Sequence, residues 1–84
     1  MKTGDMVKLP FEDRSPGTTG RIGWEIEDRD TDSPRYSFSS HGLFAWDDVG
    51  LIVEARTWTT DEPWYQVKHS GGIHWFPGVQ LEPT

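Results

Sequence analysis

The stretch "TDSPRYSF" (Thr31–Phe38) is written a second time as "TDEPWYQV" (Thr60–Val67). A shift of 29 positions, from Tyr36 to Tyr65, maps Thr31, Asp32 and Pro34 onto Thr60, Asp61 and Pro63. The same shift carries Phe38 onto Val67, Gly42 onto Gly71, Phe44 onto Ile73 and Trp46 onto Trp75. The shared pattern T-D-x-P-x-Y-x-[FV]-x-x-x-G-x-[FI]-x-W runs without a gap, which points to an internal repeat. Each unit reads as strand, Pro-containing turn, strand, Gly turn, strand. Asp at 32 and 61 suits an Asx-type turn, Pro fixes φ, and Gly42 and Gly71 suit a tight hairpin. Tyr, Phe/Val, Phe/Ile and Trp are expected to alternate inward. One three-stranded unit is marginal alone, so two units facing each other would bury both apolar faces.

Working outward, short runs of period 2 recur on either side. "RIGWEIE" places Ile22, Trp24 and Ile26 on one face, and "LIVEA" places Leu51, Val53 and Ala55 on one side. "RYSFS" is expected to turn Tyr36 and Phe38 inward, as "YQVKH" turns Tyr65 and Val67. Gly- and Pro-rich turns separate the runs, and no window carries a sustained helical pattern. The fold expected is all-β: a small SH3-like barrel or a two-unit β sandwich in one domain. An N-terminal arm of residues 1–19 precedes repeat units at 20–49 and 50–81.

The opening "GDMVKLPFEDRSPGTTGRIGWEIED" resembles SH3-like barrels of the KOW type, through Gly4, Asp5, Val7, Gly17, Gly20 and Ile22. The close, "YQVKHSGGIHWFPGVQLEP", is similar to the end of many small SH3-like domains. The resemblance implies an SH3-like barrel, and KOW domains often touch RNA or polymerase. The A-L-Y-D-Y stretch of signalling SH3 domains is absent, so proline-rich ligands are not implied.

Composition narrows the function. Eighty-four residues without cysteine give no disulfide and no zinc-ribbon spacing, so the five Trp, four Phe and two Tyr must carry the core. A net charge of −6 disfavours phosphate backbones and anionic lipid, and favours a basic partner. No apolar run reaches the roughly 20 residues needed to cross a bilayer. The start "MKTGDMVKLP" carries no hydrophobic signal region, so a cytoplasmic protein is expected. No nucleophile elbow, Walker loop, dinucleotide fingerprint or zincin motif occurs, and no cofactor is implied. His41, His69 and His74 match no metal-ligand spacing and read as two turn-adjacent histidines and one on a solvent face.

Where the two units differ, positions have been released from the shared core. Under the shift Arg29 becomes Trp58, Arg35 becomes Trp64, Gly23 becomes Ile52 and Ala45 becomes His74. The candidate binding residues are therefore Ile52, Trp64 and His74 on the second unit's outer face, Trp58 in the adjoining loop, and Arg35 of the first unit, which could meet an anionic ligand. The N-terminal arm, with Met6, Val7, Leu9 and Phe11, is the alternative cover for Ile52 and Trp64. The expectation is a noncatalytic protein-binding module whose partner is another protein, preferably basic, or a second copy of the chain, with no nucleic acid and no membrane. The alternatives are an acidic inhibitor imitating nucleic acid and a small-ligand sequestering protein.

Overall fold

A computed structural model describes residues 1–28, 30–31, 34–58 and 62–84, the side chain of Ser40 excepted. The turn residues Asp32 and Asp61, on which the Asx-turn expectation rests, lie outside the described residues, as does Arg29. Among the described residues seven strands form one antiparallel sheet: β1 Met6–Lys8, β2 Gly20–Glu27, β3 Arg35–Ala45, β4 Gly50–Thr57, β5 Pro63–His69, β6 Gly72–Pro77 and β7 Glu82–Pro83. Their order is β3-β2-β6-β5-β4-β1-β7, so β3 and β7 are the edges of an open sheet. Two single-turn 3-10 helices, Phe11–Asp13 and Gly78–Gln80, complete the described elements. No described helix is long and apolar enough to cross a membrane.

Alternation decides the inner face of the later strands. In β5, Tyr65, Val67 and His69 are buried while Trp64, Gln66 and Lys68 lie on the other face. Register pairs Tyr65 with Phe76 and Val67 with His74, so β6 adds those two side chains to the same layer. The core joins Val7, Leu9, Phe44, Trp46, Ile52, Tyr65, Val67, Phe76 and Leu81. The sheet curls enough for Phe44, on edge strand β3, to meet the rings of Phe76 at 5.4 Å and His69 at 4.8 Å. The arm is an integral part of this core. Its β1 pairs with β4 (Met6↔Leu51), and Gly4 N–H donates to Ile52 C=O at 2.8 Å.

The two hairpins share a register before they diverge. Glu25↔Ser37, Ile26↔Tyr36 and Glu27↔Arg35 in β2–β3 recur, after the 29-residue shift, as Glu54↔Gln66, Ala55↔Tyr65 and Arg56↔Trp64 in β4–β5. Beyond those pairs the ladders differ. In β2–β3 the pairing steps from Trp24↔Phe38 to Ile22↔Leu43, so Gly23 alone stands against residues 39–42. In β4–β5 the step from Glu54↔Gln66 to Ile52↔Val67 skips only Val53. The third strand expected of the first unit does not separate: residues 43–45 stay in β3, paired to β2. The second unit turns at Ser70–Gly71 and starts β6, with the positive φ on Gly72 rather than Gly71. Residues 20–45 and 50–77 therefore belong to one continuous sheet, and its curl, not the packing of two separate sheets, brings Phe44 against Phe76 and His69.

These irregularities reverse several expected orientations. Tyr36 and Phe38 are 47% and 64% exposed, not inward. Phe38 lies six residues before inward Phe44, and an unbroken strand would bury both. The four-residue bulge, with Gly42 at φ 74°, breaks that alternation. Ile73 is likewise exposed, on the face opposite His74. Ile52 is only 1% exposed, because the bulge at Val53 returns it to the core face beside Val67. Trp46 and Trp75 are both buried, in different places: Trp46 in the core and Trp75 on the sheet's outer face, against Trp58 at 5.4 Å.

Candidate functional site: an outward aromatic face

Gly23 decides which way β2 faces. A Cβ on Gly23 would stand 2.9 Å from Phe76 Cζ and closer still to His74 Cβ, so this position presses on the inner layer. Period 2 then sends Trp24 outward. Trp24 pairs with Trp75 of β6 and Phe38 of β3, and Trp75 pairs with Gln66 of β5. One row of outer-face residues thus crosses four strands: Gln66, Trp75, Trp24 and Phe38.

Aromatic geometry builds the site on that row. Phe38 stacks on Trp24, with centroids 3.9 Å apart and rings 24° from parallel. Tyr36 and Trp64 stack on each other at 5.6 Å and 9°. Trp24 stands edge-on to both, 6.1 Å from each, at 76° and 83°. Offset stacks and T-shaped pairs are the favoured aromatic arrangements, each worth about 0.5–1.5 kcal/mol beyond area burial. An open groove of about 550 Å³ adjoins Trp24 and Phe38, lined also by Thr18, Ile22, Leu43 and Gln80. Its floor is braced from behind, where Trp46 Nε1–H donates to Thr18 Oγ1 at 3.0 Å and Arg21 lies over the Trp46 ring.

The five expected binding residues separate in the structure. Trp64 belongs to the face, and its ring partners are Trp24 and Tyr36, not the N-terminal arm. Arg35 is exposed beside Tyr36 at the start of β3, opposite Glu27 in register. Trp58 is half-buried and covers Trp75. Ile52 is core, clustered with Val7 and Leu9 of the arm and backbone-bonded to Gly4 and Asp5, whereas the alternative expectation had the arm over Trp64 as well. His74 is buried, not on a solvent face, because its strand neighbour Ile73 takes the outward position. Sequence reasoning missed Trp24, Tyr36 and Phe38. The available signal was Gly23, a mid-strand glycine between two large apolar residues, which marks close backbone approach.

His74 forms a buried pair with His69. Gly71 N–H donates to His69 Nδ1 at 3.1 Å, which leaves the neutral ring's proton on Nε2. That Nε2–H donates to His74 Nδ1 at 2.8 Å. Burial pushes the His69 pKa down, the nearby His74 adds to this, and Asp48 partly opposes it. Asp48 is engaged elsewhere: Ser70 donates to it through Oγ at 2.6 Å and through N–H at 3.1 Å. Those bonds hold the Asp48 pKa below the usual carboxylate value. The Ser70 hydroxyl therefore serves the carboxylate and not the adjacent imidazole. Among the described residues, no group of three or more His, Cys, Asp or Glu is placed to hold a metal ion. No protein-family model, no curated protein and no solved structure matches this chain.

Proposed function

We propose that this chain is a noncatalytic protein-binding module that works through the aromatic face of Trp24, Tyr36, Phe38 and Trp64. The observation that carries the reading is the exposure of Phe38 and Tyr36 beside two half-buried indoles, on the side of the sheet away from the core. Exposed apolar patches with Trp and Tyr at their centre are the usual anchors of protein interfaces. The same reading takes the fold as one small SH3-like β domain built from an internal repeat of about 29 residues. It is supported by the three register pairs that recur after 29 residues and by the Gly4–Ile22 motif.

The test is Phe38→Ser, compared with wild type for capture of protein from the native host. Phe38 is mostly solvent-exposed but stacks on Trp24, so the variant should stay folded while losing about 0.5–1.5 kcal/mol of stability. Capture should fall by about tenfold or more, the scale of a lost hot spot. Unchanged capture by a folded Phe38→Ser variant would remove the aromatic face from the account.

A further inference from the structure

We infer that the free edge of β3 beside the aromatic face takes an extended, basic segment of a partner protein as an added strand; this rests on the aromatic-face reading above. β3 ends the sheet, and among the described residues its residues 35–38 pair only with β2. Such an edge presents unpaired N–H and C=O groups, the template for strand addition. The bulge at residues 39–42 ends the regular edge on one side. The opposite end of the sheet is a poorer template: β7 is two residues long and one of them is Pro83.

Side-chain alternation specifies the occupant. On one face of an added strand, alternate residues meet Tyr36 and Phe38, which accept apolar side chains or the plane of an arginine. On the other face they lie beside Ser37, whose register partner in β2 is Glu25. Ser37 is small and exposed, so a lysine or arginine reaches across it to the Glu25 carboxylate. Among the described residues neither Glu25 nor Glu27 is in an ion pair, and both are exposed. Arg35, opposite Glu27, leaves Glu25 as the main acidic contact. With a net charge of −6, a second copy is repelled overall while a basic segment is attracted.

The experiment is an NMR titration of the full chain with a blocked peptide of alternating Lys and Val. The comparison peptides are its Glu/Val counterpart and the Lys/Val peptide N-methylated in each of the two alternate registers. The Lys/Val peptide should shift the amides of residues 35–38 and the indole N–H signals of Trp24 and Trp64, while the Glu/Val peptide should not. One methylated register, the one facing β3, should bind about tenfold more weakly or worse, and the other should bind like the parent. Equal binding by both registers overturns strand addition; if the indoles still shift, the aromatic-face reading stands without it. Absence of β3 shifts with the Lys/Val peptide overturns the inference, and the Phe38→Ser capture then judges the face separately. Concentration-dependent β3 shifts without peptide, with a dimer in sedimentation, assign the edge to a second copy and also overturn it.

Discussion

Replacing Gly23 by Ala tests the orientation on which the aromatic face depends. The new Cβ would start 2.9 Å from Phe76 Cζ. Carbon–carbon contacts are optimal at about 3.5–4.0 Å, so β2 and β6 must separate by roughly 0.6 Å or more at their single point of pairing. His74 Cβ lies closer still, and neither neighbour is the free end of a flexible chain. Overpacking of this kind costs about 1–3 kcal/mol, offset by about 0.5–1 kcal/mol for removing a strand glycine. A net loss of about 0.5–2 kcal/mol is expected. With a urea m-value near 1 kcal/mol/M for a chain of this size, the midpoint should fall by about 0.5–2 M. Trp fluorescence during urea unfolding reads it directly. Gly23→Ile, which installs the second unit's residue, should lose more. A midpoint for Gly23→Ala that is unchanged or raised would mean Gly23 does not face His74 and Phe76, and Trp24 would then not face outward.

Three further outcomes follow from the same geometry. Leu9→Ala removes a fully buried arm side chain and should cost about 2–5 kcal/mol; a loss near zero would return the arm to a loose cover. Trp64→Arg gives up a stack on Tyr36 and an edge contact with Trp24, so about 1–3 kcal/mol should be lost in thermal unfolding, and full stability would contradict the ring geometry. The His69 pKa is lowered in the folded chain, so the unfolded chain binds more protons below its ordinary value of about 6.5. Stability should be complete above that pH and fall as pH drops toward the folded value, by at most about 1.4 kcal/mol per pH unit for one proton. Urea midpoints between pH 7 and 5 check this, with His69→Phe flattening the dependence; a flat wild-type profile would contradict a buried neutral pair.

Period 2 was enough to show that the chain is built of strands, and it gave the inward set Tyr65, Val67, Phe44 and Trp46, but the turn expected at Gly42 lies inside β3. It could not say which face of β2 and of the first part of β3 met the core, because alternation defines two faces without ranking them. The reversal at Phe38 depends on a bulge of four residues against one, which leaves no apolar pattern to read. Ile52 was misjudged for a related reason: a single skipped residue at Val53 returns it to the core. His74 was illegible because its partner His69 is brought beside it only by the Ser70–Gly71 turn. Trp64 was legible, since it precedes inward Tyr65 on a regular strand.

The lone Trp24↔Trp75 pair that joins β2 to β6 has a consequence for amide exchange. Beyond it, the ribbon of Trp24–Glu27 and Arg35–Phe38 is held to the rest of the sheet by aromatic side chains and, at its turn, by the Asp30–Arg56 ion pair, and not by a continuous ladder. Such a ribbon is a subglobal opening unit: its protons exchange by a local event cheaper than global unfolding. The base of the same hairpin, anchored by Phe44 and Trp46 in the core, exchanges only with the whole domain. A partner seated on the ribbon would therefore slow its exchange while leaving the slowest core amides at their original rate.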